Sequence, residues 1–332
     1  MSEPRVLIAG ASGLAGALAA ALVERHPRLE LAAVTARSEV GTPLERLHPR
    51  HRVAAVLERL ESLSLADFDA AIVAYPHGAA AEAVAELRGA VAVVVDLSAD
   101  FRLADLDTYG RWYGEHPAPA LLDEAVYGLT ELERERVRGA KLVANPGCYP
   151  TAALLALAPL AGADLVESVV IDAKSGVSGA GRGGGERLSF VSVTENLTPY
   201  GVEGHRHLPE IEQGLDLLGN AAADVTFVPH LLPIDQGLLA SCYVTLAEPT
   251  SAEALAALFA ERYAGEPFVE LVTEPPGVRD VRETNLCRIH VAGGGRRALV
   301  FAAIDNLWKG AASQAVQNLN LMLGFDEGEG LR

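Results

Sequence analysis

The stretch RVLIAGASGLAGALAAALVER, residues Arg5–Arg25, decides the fold. It begins with an apolar run of strand length, Arg5–Gly10, and ends with an alanine- and leucine-rich helical segment, Leu14–Arg25. The junction carries three regularly spaced glycines, Gly10, Gly13 and Gly16. Glycine permits a tight turn and lets the backbone approach a pyrophosphate, which the helix N-terminus then holds. A structural turn between a packed helix and strand would also use such glycines, but their place directly after a predicted strand favours dinucleotide binding.

Apolar runs and helical segments continue to alternate through the first half of the chain. Further strands are predicted at Leu29–Ala36, Ala70–Ala74, Val91–Leu97 and Lys141–Asn145, with a helix at Ala79–Leu87. Such alternation is typical of βαβ units. It predicts an α/β fold with a Rossmann-type, doubly wound parallel sheet.

The second half has fewer helices between its strands. A helix is predicted at Thr151–Leu160, a second helix, N-capped by Ser251, at Ser251–Tyr263, and an amphipathic helix at Gly310–Leu323. Strands are predicted at Val166–Ala173, Val225–Pro229, Leu238–Leu246, Arg288–Val291 and Ala298–Ile304. The stretch Ser175–Glu186 is too rich in glycine for regular structure. We expect an α+β domain with a mixed or antiparallel sheet.

These patterns predict three segments along the chain. Residues 1–148 form the dinucleotide-binding domain, residues 149–303 form the catalytic, substrate and oligomerisation domain, and residues 304–332 form a helix that returns to the first domain. No internal repeat or low-complexity linker is present.

Composition narrows the classes of function. The chain has 332 residues and a formal net charge of −17, which disfavours nucleic acid and anionic membranes as partners. The cysteines, Cys148, Cys242 and Cys287, are three in number and widely spaced, which indicates neither a disulfide framework nor a metal cluster. No secretory leader opens the sequence, and no apolar run approaches the ~18 residues of a membrane span. We expect a cytoplasmic protein without a metal site.

The end of the second predicted strand, AAVTARSE, indicates which dinucleotide is bound. NAD-binding chains place Asp or Glu here for the ribose hydroxyls. This chain has Thr35, Arg37 and Ser38 instead, and a guanidinium with two hydroxyls suits a 2′-phosphate. NADP is therefore the predicted cofactor, although an exposed loop arginine would leave the same pattern.

Cys148, in the stretch NPGCYPTA, is the candidate nucleophile. Pro150 is suited to the start of a helix, and Gly147 permits close approach of the backbone. The thiol then lies at the positive end of the helix dipole, which favours the thiolate. The N–H groups of this turn and the Asn145 side chain could hold an oxyanion. A nucleophile and a dinucleotide site in one chain suggest hydride transfer to a thioester. The alternative is a buried structural cysteine, which we accept for Cys242 and Cys287.

The acid–base partner of such a cysteine is sought among the histidines. The segment EGHRHLPEIE offers His205 and His207, with Glu210 close behind. The spacing of His207 and Glu210 also fits local helix capping. A zinc site would need a third ligand that the nearby sequence does not show. His77, after Pro76 and a predicted strand, is expected on the cofactor side or in packing.

Several further stretches carry a family resemblance over nearly the whole chain. They are GASGLAG (Gly10–Gly16), VTARSEVG (Val34–Gly41), AYPHG (Ala74–Gly78), DLSADFRL (Asp96–Leu103), YGLTEL (Tyr127–Leu132), NPGCYPTA (Asn145–Ala152), KSGVSGAGR (Lys174–Arg182), GHRHLPEI (Gly204–Ile211) and IDNLWKGAASQAVQN (Ile304–Asn318). Together and in this order, they make the chain resemble the N-acetyl-γ-glutamyl-phosphate reductases of arginine biosynthesis.

The resemblance implies a reaction, a fold and a set of site residues. It implies NADPH-dependent reduction of a small acyl phosphate to N-acetylglutamate semialdehyde and phosphate, on a semialdehyde-dehydrogenase-like fold assembled as a homodimer or homotetramer. Cys148 would be the nucleophile, His205 or His207 the acid–base group, with a slight preference for His205, and Glu210 its orienting partner. The cofactor would contact Gly10, Ser12, Gly13, Leu14, Gly16, Thr35, Arg37, Ser38, Pro76, His77, Gly179, Gly181, Asn306, Lys309 and Gly310. Phosphate and carboxylate would be bound by Ser98, Arg102, Arg182 and Arg206, and Asn145 would also contact the substrate.

One departure from the family and several alternatives remain. The family commonly has Arg-Gly where this chain has Asp235-Gln236-Gly237, so an ionic contact at the substrate pocket or an interface could be altered. A related reductase of a carrier-linked aminoadipyl phosphate in lysine biosynthesis is the runner-up. Aspartate-semialdehyde dehydrogenase shares the chemistry but only the Asn-x-x-Cys spacing. A non-catalytic NADP sensor would have no use for Cys148, and a Cys–His hydrolase would have none for the glycine motif.

Overall fold

Two compact units make up the protein. The computed structural model describes residues 3–183 and 185–332. Residues 1–146 and 311–332 belong to the first unit, and residues 147–310 belong to the second.

The first unit is built on a seven-stranded sheet in which every neighbouring pair is parallel. Its strands are β1 (Arg5–Ala9), β2 (Glu30–Thr35), β3 (Leu57–Glu58), β4 (Ala70–Val73), β5 (Val93–Asp96), β6 (Val126–Tyr127) and β7 (Leu142–Ala144), in the order β3-β2-β1-β4-β5-β7-β6. Strands buried on both faces need continuous apolar runs, and β4 is buried at all of its positions. The strand order reverses between β1 and β4, so loops after these strands meet where ligands bind in doubly wound sheets.

The helices of the first unit follow its strands. They are α1 (Leu14–Glu24), α2 (Leu44–Leu47), α3 (Ala79–Arg88), α4 (Leu106–Tyr113) and α5 (Thr130–Arg138), with α10 (Ser313–Met322) from the chain's end. Small side chains let α1 pack closely, because Ala17, Ala19 and Ala20 are fully buried in it. The predicted parallel, doubly wound arrangement is confirmed.

Helix α10 differs from its prediction. A helix is present, preceded by a π-helical turn, Trp308–Ala312, but it has no solvent-facing polar side. Its polar residues Gln314, Gln317, Asn318 and Asn320 are fully buried. Asn318 Nδ2 donates to Gly128 O at 2.8 Å, and Gln314 Nε2 donates to the same carbonyl at 3.2 Å. Polar side chains thus satisfy buried backbone groups instead of facing water.

The second unit contains a six-stranded mixed sheet. Its strands are β8 (Val166–Gly176), β9 (Thr198–Pro199), β10 (Asp224–Leu232), β11 (Leu238–Thr250), β12 (Val269–Leu271) and β13 (Cys287–Ile304), in the order β12-β13-β11-β8-β10-β9. The central pairs β13–β11 and β11–β8 are antiparallel, and β8–β10 is parallel. The helices are α6 (Cys148–Ala161), α7 (Phe190–Val193), α8 (Leu208–Leu217) and α9 (Ala252–Arg262). The expected mixed sheet is confirmed.

The two strands predicted at Arg288–Val291 and Ala298–Ile304 both lie within β13, and the chain folds back on itself between them. The His290 and Phe301 rings are 6.4 Å apart, and a Cβ on Gly293 would overlap the carbonyl oxygen of Arg297. Two other local predictions in this unit need correction. Helix α6 begins at Cys148, three residues before the predicted Thr151. The glycine-rich stretch starts inside β8 and includes short 3-10 turns, Val177–Ala180 and Glu186–Leu188, while Gly184 lies outside the described residues.

The start of α9 follows its prediction. Ser251 is the N-cap, and its Oγ accepts the Ala254 N–H at 3.2 Å. The structural role predicted for Cys242 and Cys287 also agrees with their burial, since both lie inside strands with at most 1% of their surface exposed. Burial raises the pKa of Cys242 to about 12, so this thiol stays protonated near neutral pH.

Candidate active site

The turn after β1 requires glycine at two positions, because neighbouring backbone atoms leave no room for a Cβ. Gly10 has φ +94°, and a Cβ there would lie 2.7 Å from the carbonyl carbon of Ala74. A Cβ on Gly16 would overlap the carbonyl oxygen of Gly10. Gly13 is the N-cap of α1, whose first turn holds no acidic residue and no side-chain cap. The turn therefore offers an uncapped helix N-terminus, which suits a pyrophosphate.

Residues at the end of β2 lie beside this turn. The carbonyl of Thr35 accepts the N–H groups of Gly10 and Ala11, both at 2.9 Å. The Thr35 hydroxyl is fully buried and lies 2.8 Å from the Tyr75 hydroxyl. Arg37 is exposed, with its guanidinium 5.6 Å from the Tyr75 ring centroid and 3.4 Å from the Glu82 carboxylate.

The other predicted cofactor residues of the first unit occupy the same edge of the sheet. Ser12 and Leu14 are half-buried in the glycine turn, and Ser38 and Pro76 are exposed. His77 is exposed and meets the Tyr113 ring edge-on at 5.4 Å. The structure thus collects the loops after β1, β2 and β4 into one region.

The three predicted substrate-binding residues of the first unit, Ser98, Arg102 and Asn145, make hydrogen bonds within that unit. Ser98 Oγ donates to the buried Asp96 at 2.6 Å, and burial raises the pKa of Asp96 to about 7. The Arg102 guanidinium donates to the carbonyls of Leu97 and Asn145, both at 2.8 Å. Asn145 is fully buried, and its Oδ1 accepts from Asn318 at 3.1 Å. These contacts hold the loop that follows β5.

Cys148 is the first residue of α6 and is half-buried. The preceding turn is anchored by Glu210, whose Oε1 accepts the Gly147 N–H at 2.8 Å although only 1% of Glu210 is exposed. The first-turn position lets the helix dipole favour the thiolate. The alternative capping role for His207 and Glu210 is wrong, because His207 is the N-cap of α8 but its side chain makes no capping bond.

The two histidines pack against the same tyrosine. The Tyr149 ring lies 5.9 Å from His205 and 5.8 Å from His207, and the two imidazoles are 4.9 Å apart. Nδ1 of His205 accepts the His207 N–H at 3.1 Å. Burial, and then the charge of Arg206, lower the pKa of His205 to about 4. His205 is therefore neutral near pH 7, with its proton on Nε2.

Two tyrosines at this site escaped the sequence prediction. The Tyr200 hydroxyl donates to that of Tyr149 at 3.2 Å, and Tyr149 donates to His230 O at 3.2 Å. Burial is the main reason that the pKa of each is raised, to about 12 for Tyr200, and the charge of Cys148 contributes to both. Tyr149 and Tyr200 are therefore uncharged near neutral pH and lie hydrogen-bonded to each other near the thiol. Adjacency to the cysteine could have suggested Tyr149, but no local signal marks Tyr200.

The segment after β13 also reaches Cys148. Gly310 packs directly against it, since a Cβ on Gly310 would lie 2.7 Å from Cys148 Cβ. The Asn306 amide accepts from Gly237 N at 2.8 Å and donates to Ser178 Oγ at 3.0 Å. Lys309 is fully buried, with its ammonium 5.7 Å from the Phe268 ring centroid.

The remaining predicted residues of the second unit lie on its surface. Gly179 and Gly181 are exposed, and Gly181 has φ +77°. Arg182 and Arg206 are exposed as well. Within residues 3–183 and 185–332, no group of three or more His, Cys, Asp or Glu side chains could hold a metal ion. In the same described part of the chain, no helix is long and apolar enough to cross a membrane.

Comparison with known proteins places the chain in a family. A model for the semialdehyde dehydrogenase NAD binding domain matches residues 5–140, and one for the semialdehyde dehydrogenase dimerisation domain matches residues 148–306. An N-acetyl-gamma-glutamyl-phosphate reductase from Halorhodospira halophila is 48% identical, over 98% of this chain and 96% of its own length. Another, from Pseudomonas entomophila, is 46% identical over 98% of this chain and 97% of its own length. The chain belongs to the N-acetyl-gamma-glutamyl-phosphate reductase family.

Membership of the N-acetyl-gamma-glutamyl-phosphate reductase family makes the chain an oxidoreductase, and the NAD binding domain model indicates a nicotinamide cofactor. Solved structures agree on the fold. Aspartate semialdehyde dehydrogenase II from Vibrio cholerae superposes with a TM-score of 0.76 at 19% identity, covering 98% of this chain and 99% of its own. The Candida albicans enzyme gives 0.67 at 14% identity, covering 97% and 99%. At these identities the likeness concerns the fold alone.

Proposed function

We propose that the protein reduces N-acetyl-γ-glutamyl phosphate to N-acetylglutamate 5-semialdehyde and phosphate with NADPH, as a step of arginine synthesis in the cytoplasm. The observation that carries the proposal is the half-buried Cys148 at the start of α6, in a chain similar over almost its full length to reductases of that name. The helix dipole at this position favours the nucleophilic thiolate.

Cys148 performs the covalent steps in this proposal. Its thiolate attacks the acyl carbon, the C–O bond to phosphate breaks, and a thioester and inorganic phosphate result. The bound nicotinamide supplies the hydride that reduces the thioester carbon. The resulting thiohemiacetal takes up a proton and later loses it as the C–S bond breaks, which releases the aldehyde and restores the thiolate.

We assign the proton transfers to His207 in preference to His205. Nδ1 of His205 already accepts a hydrogen bond from the His207 N–H. Because the pKa of His205 is lowered, the ring is neutral near pH 7 and its single proton is on Nε2. A base needs a lone pair directed at the reacting group, which His205 lacks in this arrangement. Glu210 then positions the cysteine turn through Gly147, and the exposed Arg182 and Arg206 are the candidates for the substrate's anionic groups.

The fit of the cofactor to the first unit rests on the glycine turn and on Arg37. The uncapped start of α1 receives the pyrophosphate. NADPH, rather than NADH, is proposed because β2 ends in Thr35 without an acidic residue, and Arg37 is exposed at this edge of the sheet.

Turnover in the reverse direction tests the proposal. We expect phosphate-dependent reduction of NADP with N-acetylglutamate semialdehyde, and none with aspartate semialdehyde or with carrier-linked aminoadipate semialdehyde. Cys148→Ser should abolish turnover and leave NADPH binding intact, because a serine hydroxyl is hardly ionised near neutral pH. Turnover by the serine variant would exclude the thioester, and activity with another semialdehyde would change the substrate.

We also propose a homodimer formed through the sheet of the second unit. Tyr243 on β11 is in register with Val170 on β8 and with Leu299 on β13. All three side chains are exposed, at 44%, 43% and 36%, although they form an apolar row in the centre of the sheet. An exposed apolar row of this kind marks an interaction surface. A homotetramer would need a further contact.

Light scattering tests the dimer. Tyr243→Glu should convert the dimer to monomer, since an unpaired carboxylate at the centre of an interface is costly. The matched control is Val191→Glu, at an apolar residue that is 89% exposed outside the sheet. A dimeric Tyr243→Glu variant, or a wild-type monomer, would refute this interface.

A further inference from the structure

We infer that Asp305 is a positioning residue for Cys148, acting through the turn that carries Gly310. This inference rests on the proposed function, because it concerns the thiol that the proposed reaction uses. Asp305 follows β13 directly and is fully buried. No substrate or cofactor contact is required of it.

The Asp305 carboxylate ties together two backbone segments. Its Oδ1 accepts the N–H groups of Leu307 at 2.9 Å and Trp308 at 3.2 Å, and its Oδ2 accepts the N–H of Glu283 at 2.8 Å. Its own carbonyl accepts the Gly310 N–H at 2.9 Å. A buried charge persists where several donors satisfy it. Burial raises the pKa of Asp305 to about 6, although the backbone N–H donors oppose this shift. The carboxylate is therefore still ionised near neutral pH.

The turn held by Asp305 ends against the nucleophile. A Cβ placed on Gly310 would lie 2.7 Å from Cys148 Cβ and 3.2 Å from Cys148 Cα. The backbone of Gly310 therefore covers one side of the first residue of α6. Asn306, at the start of the same turn, is also held in place, because its side chain accepts the Gly237 N–H and donates to Ser178 Oγ. The position of Gly310, and with it the side of Cys148 that is covered, depends on the bonds of Asp305.

Loss of the carboxylate should have opposite effects on two properties of Cys148. Asp305→Ala frees the turn, uncovers the thiol and misplaces it relative to its partners. A misplacement of ~1 Å lowers turnover by up to ~100-fold, whereas an uncovered thiolate reacts faster with a small alkylating agent. A loss of general structure would instead expose Cys242 and Cys287, which are at most 1% exposed in the native protein.

The experiment compares kcat with the rate of alkylation by iodoacetamide, with mass spectrometry counting the modified cysteines. Asp305→Ala should lower kcat at least ~10-fold. In this variant iodoacetamide should modify Cys148 faster than in wild type, with one thiol modified per chain. Asp305→Asn keeps an oxygen for Leu307 and Trp308 but turns an amide N–H₂ toward the Glu283 N–H, so its kcat should lie between those of wild type and Asp305→Ala. The control, Asp280→Ala, removes an exposed carboxylate that accepts the Gly277 N–H elsewhere in the second unit, and should match wild type.

Each other outcome contradicts the inference. Wild-type kcat and alkylation rate in Asp305→Ala would show that Gly310 keeps its place without the carboxylate. Modification of all three thiols would show a structural role for Asp305, and so would equal losses in the Ala and Asn variants. Alkylation needs no substrate, so this arm gives its result even if the proposed acyl phosphate is not turned over.

Discussion

Substitution of Gly310 by alanine should disable catalysis through a contact of one methyl group. Gly310 does not adopt positive φ, so its backbone conformation accepts alanine. The added Cβ would lie 2.7 Å from Cys148 Cβ. Carbon atoms in contact rest about 3.5–4.0 Å apart, so one of the two residues must move by roughly 1 Å.

The expected loss follows from that displacement. A reacting group displaced by about 1 Å can lose 10²-fold in rate, which corresponds to ~2.7 kcal/mol in the activation barrier. Overpacking of a buried position also lowers the free energy of unfolding by about 1–3 kcal/mol. We therefore expect a folded but less stable enzyme whose kcat falls by up to ~100-fold.

Steady-state kinetics with chemical denaturation checks this expectation. Gly294→Ala is the matched control, because a Cβ there would approach nothing closer than 3.6 Å and its φ is not positive. A Gly310→Ala enzyme with wild-type kcat would refute the steric reasoning. An unchanged kcat with a raised KM for NADPH would instead make Gly310 a cofactor contact.

Two further predictions concern the cofactor and the acid sensitivity of the fold. Arg37→Ala should weaken the binding of NADPH much more than that of NADH. Glu82→Gln should tighten NADPH binding by about 1.5- to 5-fold, the strength of an exposed ion pair, because Glu82 competes for the same guanidinium. Equal effects on the affinities of both nucleotides in a fluorescence titration would contradict this. Burial and then the charge of Arg206 lower the pKa of His205 in the folded protein from its ordinary 6.5 to about 4. Protonation therefore favours the unfolded chain, and stability is lost as the pH falls through this window. Between pH 7 and pH 5 this contribution is up to ~2 kcal/mol; urea unfolding of His205→Asn should show that much less acid destabilisation than wild type, and identical pH slopes would refute the assignment.

The first unit could be predicted because its signals are local. A strand, a glycine turn and a helix follow one another within Arg5–Arg25, and each signal spans only a few residues. The N-cap at Ser251 is of the same kind. Where one neighbourhood of sequence contains both partners of a contact, propensity and periodicity suffice.

The errors arise where tertiary contacts overrule a local pattern. His207 and Glu210 have the spacing of a cap, yet Glu210 bonds to Gly147 in another segment. The glycine-rich stretch from Ser175 predicts no regular structure, yet Ser175 pairs with Leu238 of β11. The polar residues of α10 predict a face exposed to solvent, yet Gln314 and Asn318 are buried and donate hydrogen bonds to the carbonyl of Gly128.

Two glycines show where the limit of sequence prediction lies. A side chain at Gly16 would strike Gly10, six positions earlier in the same motif, so the requirement for glycine is visible in the sequence. A side chain at Gly310 would strike Cys148, from which most of the second unit separates it along the chain. At both positions a neighbouring residue lies too close to leave room for a Cβ, so only glycine fits without a shift. Only the first partner is near in sequence, and for this reason the covering of the nucleophile, unlike the dinucleotide turn, had to be found in three dimensions.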